Sequence, residues 1–413
     1  MLVQRAHRIR LNPTPEQERN FWQSAGVARF VFNHGLEQWQ RQYAESQVSP
    51  GVASPSEFAL KKQFNAVKRA QFPFVMSVSK SVSEGAFKDL GQAFRNFFRR
   101  VKQGADPGYP KYKSRKRTKP AFYLANDVFK TDGHTLRIQR CPGTVNMAEE
   151  IRFAGKVQSG RVSYDGDSWH IAITVEVESP ELYRHPDESV GIDLGIKAMA
   201  TLSNGEQYEN QRLYKSELRK IKRLSRKLAR RKAGSNRRER AKQELAKLHL
   251  KIANRRKDYI HKMTTEIAQT YRIIGIEDLN VSGMVKNHKL AMALNDVAFG
   301  ETRRQLTYKS EWFGGLVVPI GRFFPSSRLC PVCGAIKSDL KLSDRVFICE
   351  CGFKKDRDWN AAENIETEAL RIVAGMAIST LKTDVETDVR PVVWAAVNEA
   401  STYPGGHDYA PQR

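Results

Sequence analysis

The chain has 413 residues and carries 69 Lys and Arg against 45 Asp and Glu, a formal net charge of +24 at pH 7. Its 40% hydrophobic content is ordinary for a globular protein, and the length allows two or three domains. A charge this positive attracts polyanions, nucleic acid first among them. No apolar run is long enough to span a bilayer, since "GLVVPIGRFF" is far too short, and no lipidation signal is visible. "MLVQRAHRIRL" lacks the apolar core of a signal peptide, so a cytoplasmic, nucleoid-associated protein with no membrane partner is expected.

Residues 2–12 alternate like a strand. "TPEQ" at 14–17 reads as a helix start, with Thr14 as N-cap, Pro15 in the first turn and Gln17 closing a capping box. "SAGVARFVFNHGLEQWQRQY" continues that helix, and residues 46–57 read as a loop. A further helix over about 79–102 carries Val82, Ala86, Leu90, Phe94, Phe97 and Val101 at helical spacing, the pattern of a packed face. It ends in "RNFFRRVK", where Arg99 and Arg100 are candidate nucleic-acid contacts.

"GYPKYKSRKRTKPAFY", residues 108–123, interleaves basic and aromatic residues, Lys111 and Lys113 among them. It suits a contact that tracks a nucleic-acid backbone, or simply a solvated basic loop. Residues 120–178 read as short strands, with a hairpin turning at Asp165-Gly166. "ESVGIDLGIKAMATLSNGE", residues 188–206, reads as a second strand pair. Leu218, Ile221, Leu224 and Leu228 then repeat at helical spacing, as do Tyr259, Met263, Ile267 and Tyr271, and "AGSN" at 233–236 breaks the run into a helical hairpin. Its other faces, with Arg226 and Arg230, are dense in cations and nearly bare of acid. That favours a face toward phosphates over a merely solvated one, where mixed signs gain side-chain pairs. "YRIIGIEDLN" reads as a buried parallel strand. A helix near 290–313, a strand near 314–324 and a helix over 358–372 complete the series, and 375–413 is expected to be disordered or loosely attached.

Asp193 lies inside an apolar strand, where a charge is costly without a partner. Glu277 ends the strand "RIIGIE", and Asp358 lies in the first turn of the helix after "CGFKKDRD". Acids at the ends of adjacent strands and at a helix start can converge. Crowded carboxylates repel, and divalent cations with a preference for oxygen, Mg²⁺ or Mn²⁺, relieve that repulsion. Two such ions about 3.5–4 Å apart make a phosphodiester hydrolysis site, one acting on the attacking water and one on the leaving 3′ oxygen. Plainer readings exist for each acid. "GIDLG" also suits an actin-like ATPase, although Gly195-Ile196-Lys197 departs from the Gly-Thr-Thr such proteins carry. Glu277 could be a helix-capping or surface acid after its strand, and Asp358 a cap, although Asp356 fits the cap better. Asp278 is expected to face away from Glu277.

Four of the five cysteines fall within 330–351. "CPVCG" is a zinc-knuckle pattern, and "CECG" follows it with Cys349 and Cys351 one residue apart where two are usual. Cys330, Cys333, Cys349 and Cys351 would form a closed, structural zinc site; unmetallated thiols are the alternative.

The succession "GIDLGIK", "IIGIEDL", "FPSSRLCPVCG" and "CGFKKDRDWNAAENI" resembles the TnpB family, transposon-encoded RNA-guided nucleases related to type V CRISPR effectors. "SAGVARFVFNHGL", "AFRNFFRRVK" and "GYPKYKSR" are similar to its N-terminal motifs, so the resemblance spans about 1–372. It implies a multidomain α/β plus β fold. A wedge-like β-barrel (1–13 and 105–186) is interrupted by a helical recognition domain (14–104). A split ribonuclease H-like, RuvC-type nuclease domain (187–324 and 354–374) carries the basic hairpin 211–271 and a zinc-ribbon insert at 325–353. The resemblance implies Asp193, Glu277 and Asp358 as the catalytic, magnesium-binding triad and the four cysteines as zinc ligands. It also implies Lys80 near the duplex motif that the protein reads. A guide RNA from the transposon end would pair with double-stranded target DNA beside a short adjacent motif, in a ribonucleoprotein with one copy of the protein. The expected function is RNA-guided, metal-dependent DNA cleavage. The alternatives are a non-cleaving guided regulator and a guide-free transposase or resolvase.

Overall fold

The computed structural model describes residues 2–49, 51, 53–104, 106–178, 185–341 and 343–383; for 282, 288, 289 and 376–383 only the backbone is described. These residues form two compact units, 2–178 and 185–383.

In the first unit, β1 (Leu2–Asn12) leads into three helices, α1 (Pro15–Val48), α2 (Glu57–Gln71) and α3 (Lys80–Lys102). The expected capping box at Thr14 is present: Gln17 N–H donates to the Thr14 hydroxyl, and the Gln17 side chain accepts from Thr14 N–H. Six further strands follow: β2 (Ala121–Ala125), β3 (Phe129–Asp132), β4 (Thr135–Ile138), β5 (Val145–Met147), β6 (Lys156–Tyr164) and β7 (Trp169–Glu178). All seven pair antiparallel in the order β2-β6-β7-β1-β5-β4-β3. The two edge strands are consecutive in sequence, and Phe129 of β3 reaches Gly160 of β6, so the sheet curls into a near-closed barrel interrupted by the helices. At the β6–β7 turn the Asp165 carboxylate accepts from Asp167 and Ser168 N–H, as an Asp-Gly turn requires. Val82, Ala86, Leu90 and Phe94 of α3 are buried; Val101 is half exposed and extends beyond the packed face.

The second unit opens with β8 (Asp187–Asp193), β9 (Ala198–Leu202) and β10 (Gln207–Glu209). Next come α4 (Leu213–Ser216), α5 (Leu218–Ala229), α6 (Asn236–Thr270) and β11 (Tyr271–Glu277), and after them α7 (Val281–Val285), α8 (His288–Val297), α9 (Phe299–Trp312) and β12 (Leu316–Ile320). A small ribbon, β13 (Val346–Ile348) and β14 (Lys354–Asp356), precedes α10 (Arg357–Thr383). The sheet order is β10-β9-β8-β11-β12, antiparallel through β8 and parallel across β8, β11 and β12. Parallel strands covered by helices read as continuous apolar runs, which is why "RIIGIE" and "LVVPI" were legible.

Two expectations change. The helix expected near 290–313 is broken: Ala298 sits at φ 56, and α8 and α9 meet there. The expected loose tail begins too early, because residues 375–383 continue α10; 384–413 lie outside the described residues. No described helix is long and apolar enough to cross a membrane.

Candidate functional site

Gly191 of β8 and Gly275 of β11 are register partners, and α10 passes over both. A Cβ on Gly191 would lie 1.9 Å from the Ala362 carbonyl oxygen, and one on Gly275 2.8 Å from the Ala369 Cβ. The missing side chains let the helix settle onto the backbone and carry its first turn to the carboxyl ends of the strands. Asp193 and Glu277 are the last residues of β8 and β11, directly after the partnered pair Ile192 and Ile276. Asp356 caps α10, its Oδ1 accepting from Asp358 N–H at 2.9 Å and Trp359 N–H at 3.1 Å. The Trp359 indole donates to the Ser203 carbonyl at 2.8 Å and seats the same turn against the β9–β10 connection. Asp358 therefore starts the helix beside the two strand-end acids.

Asp193 is partly buried, and no described cation forms an ion pair with it. Desolvation, then the charges of Glu277 and Asp358, push its carboxyl up to about 8, against a smaller pull from Arg357. A carboxyl raised this way marks three acids that share one electrostatic space. The Asp358 carboxylate pairs with Arg357 at 3.2 Å, and Glu277 Oε1 accepts from the Ser326 hydroxyl at 2.6 Å. Asp278 belongs elsewhere: it bridges Arg303 at 2.6 Å and Arg322 at 2.8 Å, whose hydrogen bonds hold it below the usual carboxylate range. Three carboxylates with one arginine among them leave excess negative charge on oxygen donors, which suits a hard divalent ion.

The four sulfurs of Cys330, Cys333, Cys349 and Cys351 lie within 4.8 Å of one another. Cys330 and Cys351 are 3.6 Å apart, Cys333 and Cys349 3.5 Å. A tetrahedral thiolate site with Zn–S of about 2.3 Å needs sulfurs about 3.8 Å apart, so the cluster can hold a metal ion. The short Cys349–Cys351 spacing is accommodated because Gly352, at φ 87, turns the chain at once, and Gly352 N–H bonds the Cys349 carbonyl at 3.0 Å. Phe347, Leu340 and Cys330 form the small core beneath.

The basic candidates divide. In the first unit, Lys80 pairs with Asp127 at 2.6 Å on the surface, while Arg99, Arg100 and Lys111 are exposed. Lys113 is turned inward: its ammonium lies 3.8 Å from the Phe32 ring centroid and 3.5 Å from Asp89, and burial lowers its pKa. In the second unit, Arg226 and Arg230 line an open recess with Arg223, Lys227 and Arg231.

Sequence reading missed Ser326, Arg357 and Trp359, and also the buried Asn360 and Asn364 of α10. The two asparagines carried a signal, being polar positions four apart beside Ala361 and Ile365 on an otherwise apolar face.

Three family models match parts of the chain. They are OrfB of IS605, described as "Probable transposase", at 172–288; the TNB domain of Cas12f1-like proteins at 299–365; and a helix-turn-helix domain of OrfB at 1–47. The last interval holds one strand and one long helix rather than two helices. A candidate RNA-guided DNA endonuclease of Streptomyces pristinaespiralis is 32% identical over 381 residues, 91% of this chain and 90% of the relative. InsQ of Escherichia coli K12, also named as a candidate RNA-guided DNA endonuclease, is 31% identical over 378 residues, 87% of this chain and 91% of the relative. Among solved structures, Cas12f1 in complex with single-guide RNA and target DNA superposes with TM-score 0.54 at 12% identity, over 88% of this chain and 98% of that one. That likeness is one of fold.

Proposed function

Because the chain belongs to the TnpB family of transposon-encoded proteins, we propose that it is an RNA-guided DNA endonuclease that hydrolyses phosphodiester bonds at Asp193, Glu277 and Asp358. The observation that carries the reading is the placement of Asp193 and Glu277 at the ends of paired parallel strands with Asp358 in the first turn of the helix over them, so that their charges act on one another. The sheet order, with β8, β11 and β12 parallel and β9 and β10 added by antiparallel pairing, suits a ribonuclease H-like nuclease of the RuvC type.

Asp193 and Glu277 would hold Mg²⁺ or Mn²⁺ from the strand ends and Asp358 from the helix. When bound, the divalent ions supply charge neutralisation at the scissile phosphate and an acidified water. The protein's own part is to fix the donors. β8 and β11 set the spacing of two carboxylates, the Asp356 cap sets the third, and Arg357 balances part of their charge. The four cysteines would bind one structural zinc.

A guide RNA from the transposon end would pair with the target, and the protein would read a short adjacent motif on the duplex. Both strands would be cut in turn by one copy. The net charge of +24 and the cation-lined recess on α5 support a polyanionic partner. The test is to express the chain with its native downstream flank and sequence the RNA that copurifies. A discrete RNA ending in variable flanking sequence supports the proposal; only random RNA, lost in moderate salt, overturns the guided reading.

A further inference from the structure

Between β12 and Cys330 the chain makes a compact turn. Arg328 and Leu329 N–H both bond the Pro325 carbonyl at 2.9 Å. Ser326 in this turn is 5% exposed, and its hydroxyl donates to Glu277 Oε1 at 2.6 Å. The turn is clamped from the other side by α10. The Asn364 amide donates to the carbonyls of Ser326 at 2.7 Å and Leu329 at 2.8 Å, and the Asn360 amide donates to Leu329 at 3.0 Å. Both asparagines are buried, and Asn360 lies two residues beyond Asp358. One short segment thus touches Glu277 through a hydroxyl, is fastened to the helix bearing Asp358, and runs directly into the first cysteine.

We propose that Ser326 is a positioning residue: its hydroxyl, on a turn fixed by Asn360 and Asn364, sets the orientation of Glu277 relative to Asp358 and links that geometry to the four-cysteine module. The inference rests on the nuclease reading of the three acids. A carboxylate on a strand end can rotate about its side-chain torsions. With Oε1 held by Ser326, one orientation is selected, and Oε2, which makes no hydrogen bond to described residues, is the oxygen left to a metal ion. Because the turn is fastened to α10, the orientation of Glu277 is tied to the helix that carries Asp358.

The test uses full-length protein with its copurified RNA and Mn²⁺ as the probe, free ion being read by electron paramagnetic resonance. Asp193→Ala defines the component of binding that belongs to the acids. Ser326→Ala is expected to weaken that component about 10–100-fold, the usual effect of removing a partner of a metal ligand. Ser326→Thr, which keeps a hydroxyl, is expected to restore most of it, with zinc content unchanged. Asn364→Ala leaves the hydroxyl in place but frees the turn, and is expected to weaken Mn²⁺ in the same direction; it serves if Ser326→Ala does not fold. Wild-type affinity in both Ser326→Ala and Asn364→Ala, with binding lost in Asp193→Ala, overturns the inference and leaves the nuclease reading intact. Absence of any Asp193-dependent Mn²⁺ binding in the wild type overturns both.

Discussion

Gly191 and Gly275 face each other in register across β8 and β11, and α10 lies directly on the pair, the Ala362 carbonyl over Gly191 and the Ala369 Cβ over Gly275. The contact helps decide where Asp358 stands, because it sets how closely the helix that carries it approaches the strands, alongside the Trp359, Asn360 and Asn364 side-chain bonds. Gly191→Ala would drive a methyl into the Ala362 carbonyl, which cannot rotate away. We expect a loss of about 1–3 kcal/mol or more and reduced cleavage, checked by thermal melts and a plasmid assay. Gly300→Ala in α9, where nothing lies within 4 Å of the added carbon, is the control and is expected to be neutral or slightly stabilising.

The raised carboxyl of Asp193 makes stability depend on pH in the metal-free protein. Below about pH 4 the group is protonated in folded and unfolded chains alike. Above it the unfolded chain releases the proton while the folded chain keeps it up to about pH 8. The stability tied to this group is therefore full below the unfolded value and lost as pH rises through the folded one. Asp193→Asn should melt higher than wild type in EDTA, by a margin that grows from pH 5 to pH 8. Millimolar Mg²⁺ should shrink or reverse the margin. A margin independent of pH would contradict the shared site.

The cysteine cluster predicts one equivalent of zinc per chain, measured by elemental analysis. Cys351→Ser should lose it. The core beneath, Cys330, Leu340 and Phe347, is too small to hold the ribbon without metal, so protease sensitivity should appear between 325 and 356.

The basic residues should separate by where they sit. Arg226→Glu with Arg230→Glu should weaken nucleic-acid binding and flatten its salt dependence by roughly 0.7–0.9 log units per lost phosphate contact, measured by titration at several salt concentrations. Lys113→Ala should instead lower the melting temperature, because its ammonium packs on Phe32 and pairs with Asp89.

Much of the site was legible because its residues break a pattern. Asp193 interrupts an apolar strand, Glu277 ends one, and Cys330 and Cys333 keep a knuckle spacing. Local chemistry was legible for the same reason at Thr14 and at the Asp165 turn, where a side chain satisfies backbone groups a few residues away. What escaped is set by tertiary contact. The break at Ala298 falls on a residue that is neither glycine nor proline, and Gly300, two residues on, is itself helical. The closeness of Gly191 to Gly275 depends on an 84-residue separation in sequence that only the sheet closes. Ser326 looks like an ordinary loop serine until Glu277 and Asn364 are placed around it.

The catalytic role of the three acids is tested by incubating guide-loaded protein with a supercoiled plasmid that carries the matching target, with and without Mg²⁺. Asp193→Ala and Asp358→Ala are run alongside, and DNA binding is measured in parallel. Metal-dependent cutting is expected from the wild type and none from either variant, with binding retained in all three. Cutting that survives either alanine substitution would contradict the assignment of the site.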